Sequence, residues 1–147
     1  MGVGHVPQEP IRPPGENPVV QGRERGGTSG PRGLAATRRT RGAWGENLVA
    51  SWYVRNGWRI VARNARHGRG EIDIIAERRG MFAVCEVKTR RNNDYGFAAE
   101  AMTPGKCRTV RRTAYGWARD NGVPMSRLRF DAAFVVGTSI DVVENAY

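Results

Sequence analysis

Lysine is almost missing from this strongly basic chain. Of its 24 basic residues 22 are arginine, and the two lysines stand at positions 88 and 106. Arginine and lysine are not interchangeable at a site, so each lysine here is a candidate for chemical choice. Residual codon usage is the plain alternative, and it would scatter them. Cysteine is as scarce: Cys85 and Cys107 form no CxxC pair and no disulfide framework, which fits a reducing compartment. His5 and His67 are isolated, and no His pairs with Cys, so zinc is not expected. No Ser/His/Asp arrangement and no phosphate-binding glycine loop is present. Apolar runs near the roughly 18 residues of a membrane span are absent too, so no membrane partner is expected. The opening Met-Gly-Val-Gly-His-Val-Pro has no basic and apolar leader and no Ser/Thr at position 6 for myristoylation. The expected setting is cytoplasmic.

What is present is positive charge. The chain has 147 residues, a net charge of +10 and a pI near 10.9. Its length allows one domain with a moderate core. An excess of ten positive charges puts a polyanion first among partners, nucleic acid ahead of a membrane surface. Residues 1–41 hold 8 of the 19 Gly and 6 of the 8 Pro, seven Arg, and no aromatic residue. Such a stretch buries too little apolar surface to offset ordering, so a disordered basic tail over 1–41 and a folded domain over 42–147 are expected. The tail reads as a solvated extension or as an arm touching phosphates.

From Gly42 the composition changes. Trp44, Leu48, Val49, Trp52 and Tyr53 recur at helical spacing, closed by Gly57. Strands are expected over 58–63, 71–77 and 81–90, with Ile72, Ile74 and Ala76 on one face and a tight turn at Arg79-Gly80. Thr103-Pro104 supplies an N-cap and a first-turn proline for a helix to about Asn121. Its apolar stripe is Cys107, Val110, Ala114 and Trp117, with Arg108, Arg111, Arg112 and Arg119 turned largely away. Strands over 130–136 and 140–143 complete the order α-β-β-β-α-β-(β), an α/β sandwich with a mixed sheet. The four Trp read as core or rim, though Trp44 or Tyr95 could stack on a base.

The hairpin turn fixes a register. Around Arg79-Gly80, opposed residue numbers sum to 159, so Ile75 faces Val84, Asp73 faces Glu86 and Glu71 faces Lys88, all on one face. Opposed Cβ atoms lie about 4.5–5.5 Å apart, and two carboxylates there repel unless a cation sits between them or one is protonated. Hard oxygen ligands at this spacing suit Mg²⁺ or Mn²⁺. Lys88 could then orient a metal-bound water or a scissile phosphate. The bland reading stands beside it: a solvated strand face, with Glu71–Lys88 an ordinary cross-strand pair. Ile75, Phe82 and Val84 share that face, so it is at least half covered.

Gly70-Glu71-Ile72-Asp73, followed by Glu86-Val87-Lys88, resembles the D…(D/E)xK signature of restriction-endonuclease-like, PD-(D/E)XK nucleases. With Gly45-Glu46, Arg63-Asn64, Thr89-Arg90, Thr103-Pro104-x-Lys106 and Arg129-Phe130-Asp131 in this order, residues 42–147 resemble the YraN-like bacterial family. The resemblance implies a restriction-endonuclease-like αβββαβ core, a central mixed sheet flanked by helices, similar to archaeal Holliday-junction resolvases. It implies Asp73 and Glu86 as ligands of Mg²⁺ or Mn²⁺, Lys88 positioning the attacking water, and Glu46 as the glutamate of the first helix. From its position alone Glu46 could equally be a favourable first-turn acid. Lys106, Arg90, Arg108, Arg111 and Arg112 are expected on phosphates, of DNA rather than RNA. Glu71 and Asp131 are candidate supporting residues, Asp131 more as the brace of an arginine than as a ligand. Cys85 reads as a small buried hydrophobe. The expected activity is metal-dependent hydrolysis of DNA, with branched or recombination and repair intermediates as candidate substrates, against a nucleic-acid-binding module with the same fold and no turnover; a homodimer is left open.

Overall fold

The structure, a computed structural model, describes residues 31–90 and 102–147, with side chains from Arg39 onward. Tyr95 and residues 1–30 of the expected tail therefore lie outside the described residues. The framework is a five-stranded sheet in the order β1-β2-β3-β4-β5. Strands β1 (Arg59–His67), β2 (Gly70–Arg78) and β3 (Met81–Arg90) form an antiparallel meander. Strand β4 (Leu128–Val136) joins β3 in parallel, and β5 (Ser139–Val143) returns antiparallel to it. A parallel neighbour needs a crossover. Here that crossover contains helix α2 (Pro104–Asp120), while α1 (Pro31–Arg55) covers the other face. The mixed sheet between two helices is the α/β architecture expected.

Each helix faces its own core. Val49 and Tyr53 of α1 pack with Ile74, Ala76, Ala83, Cys85, Ala133 and Val135. Val110 and Ala114 of α2 pack with Ile72, Ile75, Val84 and Phe130. Val84 and Cys85 are adjacent and point to opposite faces, yet both are fully buried, so β3 is covered on both sides. Each such aliphatic side chain contributes about 1.5–3 kcal/mol on burial. Cys85 is the small buried hydrophobe expected.

Local chemistry sets the boundaries. Arg78 pairs with Met81, and Arg79 and Gly80 between them have φ of 52° and 76°. Two consecutive positive φ values make the type I′ turn that suits the twist of a hairpin. Thr103 caps α2, its Oγ1 accepting from the Lys106 amide at 3.2 Å, with Pro104 in the first turn.

Three expectations are corrected. Helix α1 starts at Pro31, so the compositional change at Gly42 falls inside it. Pattern at 43–56 marks where α1 meets the core and cannot register a helical stretch that lies before that contact. Strand β1 runs to His67, through Asn64 at φ 49° and a register shift between Ile60 and Ala62, because pairing with β2 continues to Gly70. Ile72 packs with Ile75 on the α2 side, away from Ile74 and Ala76. The β2–β3 register ends at Ile74–Cys85, and beyond it β2 keeps only the β1 ladder.

Candidate active site

The acidic pair sits where β2 and β3 part. The register follows the sum of 159 from Arg78–Met81 to Ile74–Cys85, so Asp73 and Glu86 come at the first position beyond the ladder. The Val87 amide, the next ladder donor in line, donates to Asp73 Oδ2 at 2.7 Å. A carboxylate thus takes the place of a strand carbonyl and holds the fork open. Beyond it β2 continues along β1, with Glu71 opposite Arg66, while β3 continues along β4.

Glu86 is 4% exposed. Its Oε1 receives Lys88 Nζ at 2.8 Å and Lys106 Nζ at 2.9 Å, and its Oε2 is buried with no hydrogen-bond partner. Burial and then the charge of Glu86 push the Asp73 carboxyl up from 3.8 to about 6; the Val87 amide opposes them, Glu46 adds to the rise, and Lys88 pulls down. Glu46 reaches the same cleft from α1, where Asn64 Nδ2 donates to it at 3.3 Å and Arg63 stands 3.7 Å away. Gly45 brings α1 this close to the strand: any side chain there would collide with Thr89. The cleft, of about 670 Å³, is lined by Arg41, Gly42, Glu46, Asp73, Glu86–Lys88, Thr89 and Arg90.

Asp73, Glu86, Lys88 and Glu46 are brought together as expected, with Arg90 at the rim. Lys106 is also in the site, bonded to Glu86, although it was expected on flanking phosphates. Glu71 is not: it pairs with Arg66 at 2.7 Å, because the strands have separated before the position that would oppose Lys88. Asp131 lies elsewhere as an arginine brace, accepting from Arg129 Nε at 2.9 Å. Arg108, Arg111 and Arg112 line a separate basic cleft of about 410 Å³ with His67, Tyr115 and Arg119. Arg111 is not turned away, since its guanidinium lies 4.8 Å over the Phe130 ring. Trp44 is partly buried against the α1 core. Arg63 and Asn64 were part of the recognised motif, but nothing in their spacing told that they would hold Glu46.

Among the described residues, no group of three or more His, Cys, Asp or Glu could hold a metal ion. Two carboxylates remain, one with a buried, partnerless oxygen. That set fits Mg²⁺ or Mn²⁺, which bind through one or two carboxylates and fill their other positions with water and phosphate. Nor is any helix among the described residues long and apolar enough to cross a membrane.

Sheet order, flanking helices and the acid-ExK fork together define an α/β protein with a restriction-endonuclease-like core. Residues 45–135 match the pattern described as "Uncharacterised protein family UPF0102". The chain belongs to that family, the YraN family, and the matched range contains every residue of the fork. A UPF0102 protein of Rhodococcus jostii (strain RHA1) is 44% identical over 95 residues, 65% of this chain and 80% of the relative. One from Corynebacterium efficiens is 47% identical over 96 residues, covering 65% and 76%. One from Desulfosudis oleivorans is 37% identical over 112 residues, covering 75% and 91%.

Proposed function

We propose that this protein is a metal-dependent phosphodiesterase acting on DNA, with branched forms among its candidate substrates. The observation that carries the reading is Glu86: a buried carboxylate with one oxygen between two ammonium groups, the other without a partner, beside a second acid whose pKa is raised. Asp73 and Glu86 would hold Mg²⁺ or Mn²⁺. Such an ion supplies charge for phosphate oxygens and lowers the pKa of bound water. Lys88 is fixed two residues along the same strand, with its ammonium turned into the cleft, and there it orients the attacking water. Glu46, held by Arg63 and Asn64, flanks the acid pair and adds to its negative field. The arginines on α2 grip phosphates outside the reacting bond.

A non-catalytic nucleic-acid-binding module is the second reading, favoured by one observation: Lys88 and Lys106 already balance Glu86. Single-turnover cleavage of single-stranded, duplex, flap and four-way-junction DNA with Mg²⁺ or Mn²⁺ separates the two. The wild type should cut at least one form, and a chelator should stop it. Lys88→Arg should cut at least about 100-fold more slowly, while binding DNA normally in Ca²⁺, because transition-state positioning is lost and ground-state attraction remains. A wild type that cleaves none of these substrates, nor RNA of the same forms, moves the binding module ahead.

A further inference from the structure

Two lysines meet one carboxylate oxygen, and they are held differently. Lys88 sits on β3 beside the carboxylate it contacts, and is 27% exposed. Lys106 reaches Glu86 from another element, the first turn of α2, and is 38% exposed. That first turn carries no acidic residue. A helix N-terminus disfavours a cation, so Lys106 stands there with Glu86 as its compensating anion. With the metal absent, Glu86 needs a counter-charge and Lys106 helps supply it.

We propose that Lys106 is an exchangeable counter-ion: it holds Glu86 in the metal-free protein and passes to a substrate phosphate when a divalent metal takes Glu86. This inference rests on the reading of the fork as a metal site. A dication at Asp73 and Glu86 repels both ammoniums. Both stems are flexible, but Lys106 is the more exposed of the two and stands at a helix start that disfavours its charge, so it is the one released. Once released, its ammonium and the helix start together form a positive locus with no acid to neutralise it. Phosphate is the anion that the reaction brings there. Lys106 is thus a positioning residue that couples metal loading to substrate grip, a role that a fixed phosphate contact cannot play.

The experiment uses the full chain, with wild type, Lys106→Met and Lys106→Arg. In DNA-free calorimetric titrations, Lys106→Met should bind Mn²⁺ roughly three- to tenfold more tightly than wild type, since a half-exposed competing cation is gone. Lys106→Arg keeps the charge and should bind like wild type. DNA binding is then measured on a four-way junction with chelator and with Ca²⁺. With chelator, wild type and Lys106→Met should bind equally; Ca²⁺ should tighten the wild type more than the variant. Mn²⁺ affinity unchanged or weakened in Lys106→Met overturns the proposal, as does an equal loss of DNA affinity with and without Ca²⁺. If the wild type takes up no Mn²⁺ and cleaves nothing, the metal-site reading fails with it; if it binds and cleaves but shows neither signature, only the exchange fails.

Discussion

Asp131 and Glu86 are both buried carboxylates on neighbouring central strands, and the fold treats them in opposite ways. Asp131, fully buried, is saturated: its oxygens accept from the Tyr53 hydroxyl at 2.7 Å, from Arg129 Nε and Nη2 at 2.9 and 2.8 Å, and from the Asn145 amide at 3.2 Å. Arg129 is further fixed by Glu144 at 3.0 Å and lies 4.7 Å over the Trp58 ring. Burial pulls the Arg129 guanidinium down, but the bond and charge of Asp131 outweigh it and hold its pKa above the usual value. Glu86 has no such enclosure. Both its partners are lysines that reach in from a cleft, and one oxygen has none. A carboxylate that holds a fold together is given donors for every lone pair. Glu86, at the end of the β2–β3 ladder, is left short of that.

The largest expected effect breaks the saturated site. Asp131→Asn leaves a nearly buried Arg129 without its bidentate partner, and should lower unfolding free energy by about 3 kcal/mol in urea titrations. Glu86→Gln should change stability by no more than about 1 kcal/mol, because its lysines can turn to solvent. It should nonetheless abolish any rise in melting temperature on adding Mn²⁺. Similar stability losses in the two variants would erase the distinction between the sites.

A pH series sharpens the comparison. Asp73 is raised to about 6 in the folded protein, chiefly by burial and then by Glu86, so between the unfolded value near 3.8 and 6 the native state binds the extra proton. Its contribution is therefore fully present at the acid end and is lost as pH rises through 6. Without metal, the wild type should lose stability relative to Asp73→Asn from pH 4 to about 6 and run parallel above. A constant difference across that window would mean that neither burial nor Glu86 raises the Asp73 carboxyl. The smallest effect lies in the basic cleft: removing Arg108 and Arg112 should lower the salt dependence of DNA binding by about one unit of slope each, leaving stability unchanged.

The sequence made the fork legible up to a point. Arg79-Gly80 set the register, and the sum of 159 is what β2 and β3 follow, so the juxtaposition of Asp73 and Glu86 could be read without coordinates. Where the ladder stops could not be read, because strand separation depends on which neighbour each strand keeps. That is why Glu71 was matched with Lys88 and found with Arg66. Lys106 was visible as one of two rare lysines, but its contact with Glu86 depends on how α2 docks at the sheet edge, a long-range matter that helical spacing does not carry. Asp131 reads as the brace of an arginine from the sequence, but that the arginine is Arg129, and that Tyr53, 78 positions away, bonds it too, needed the fold.

Calorimetric titration of Mn²⁺ into wild type, Asp73→Asn, Glu86→Gln and Asp131→Asn, at a temperature where all four are folded, tests the central claim directly. One site should appear in wild type, vanish in Asp73→Asn and Glu86→Gln, and persist in Asp131→Asn. Equal binding by wild type and both fork variants, or no binding by wild type with or without DNA, would contradict the assignment of the fork as a metal centre.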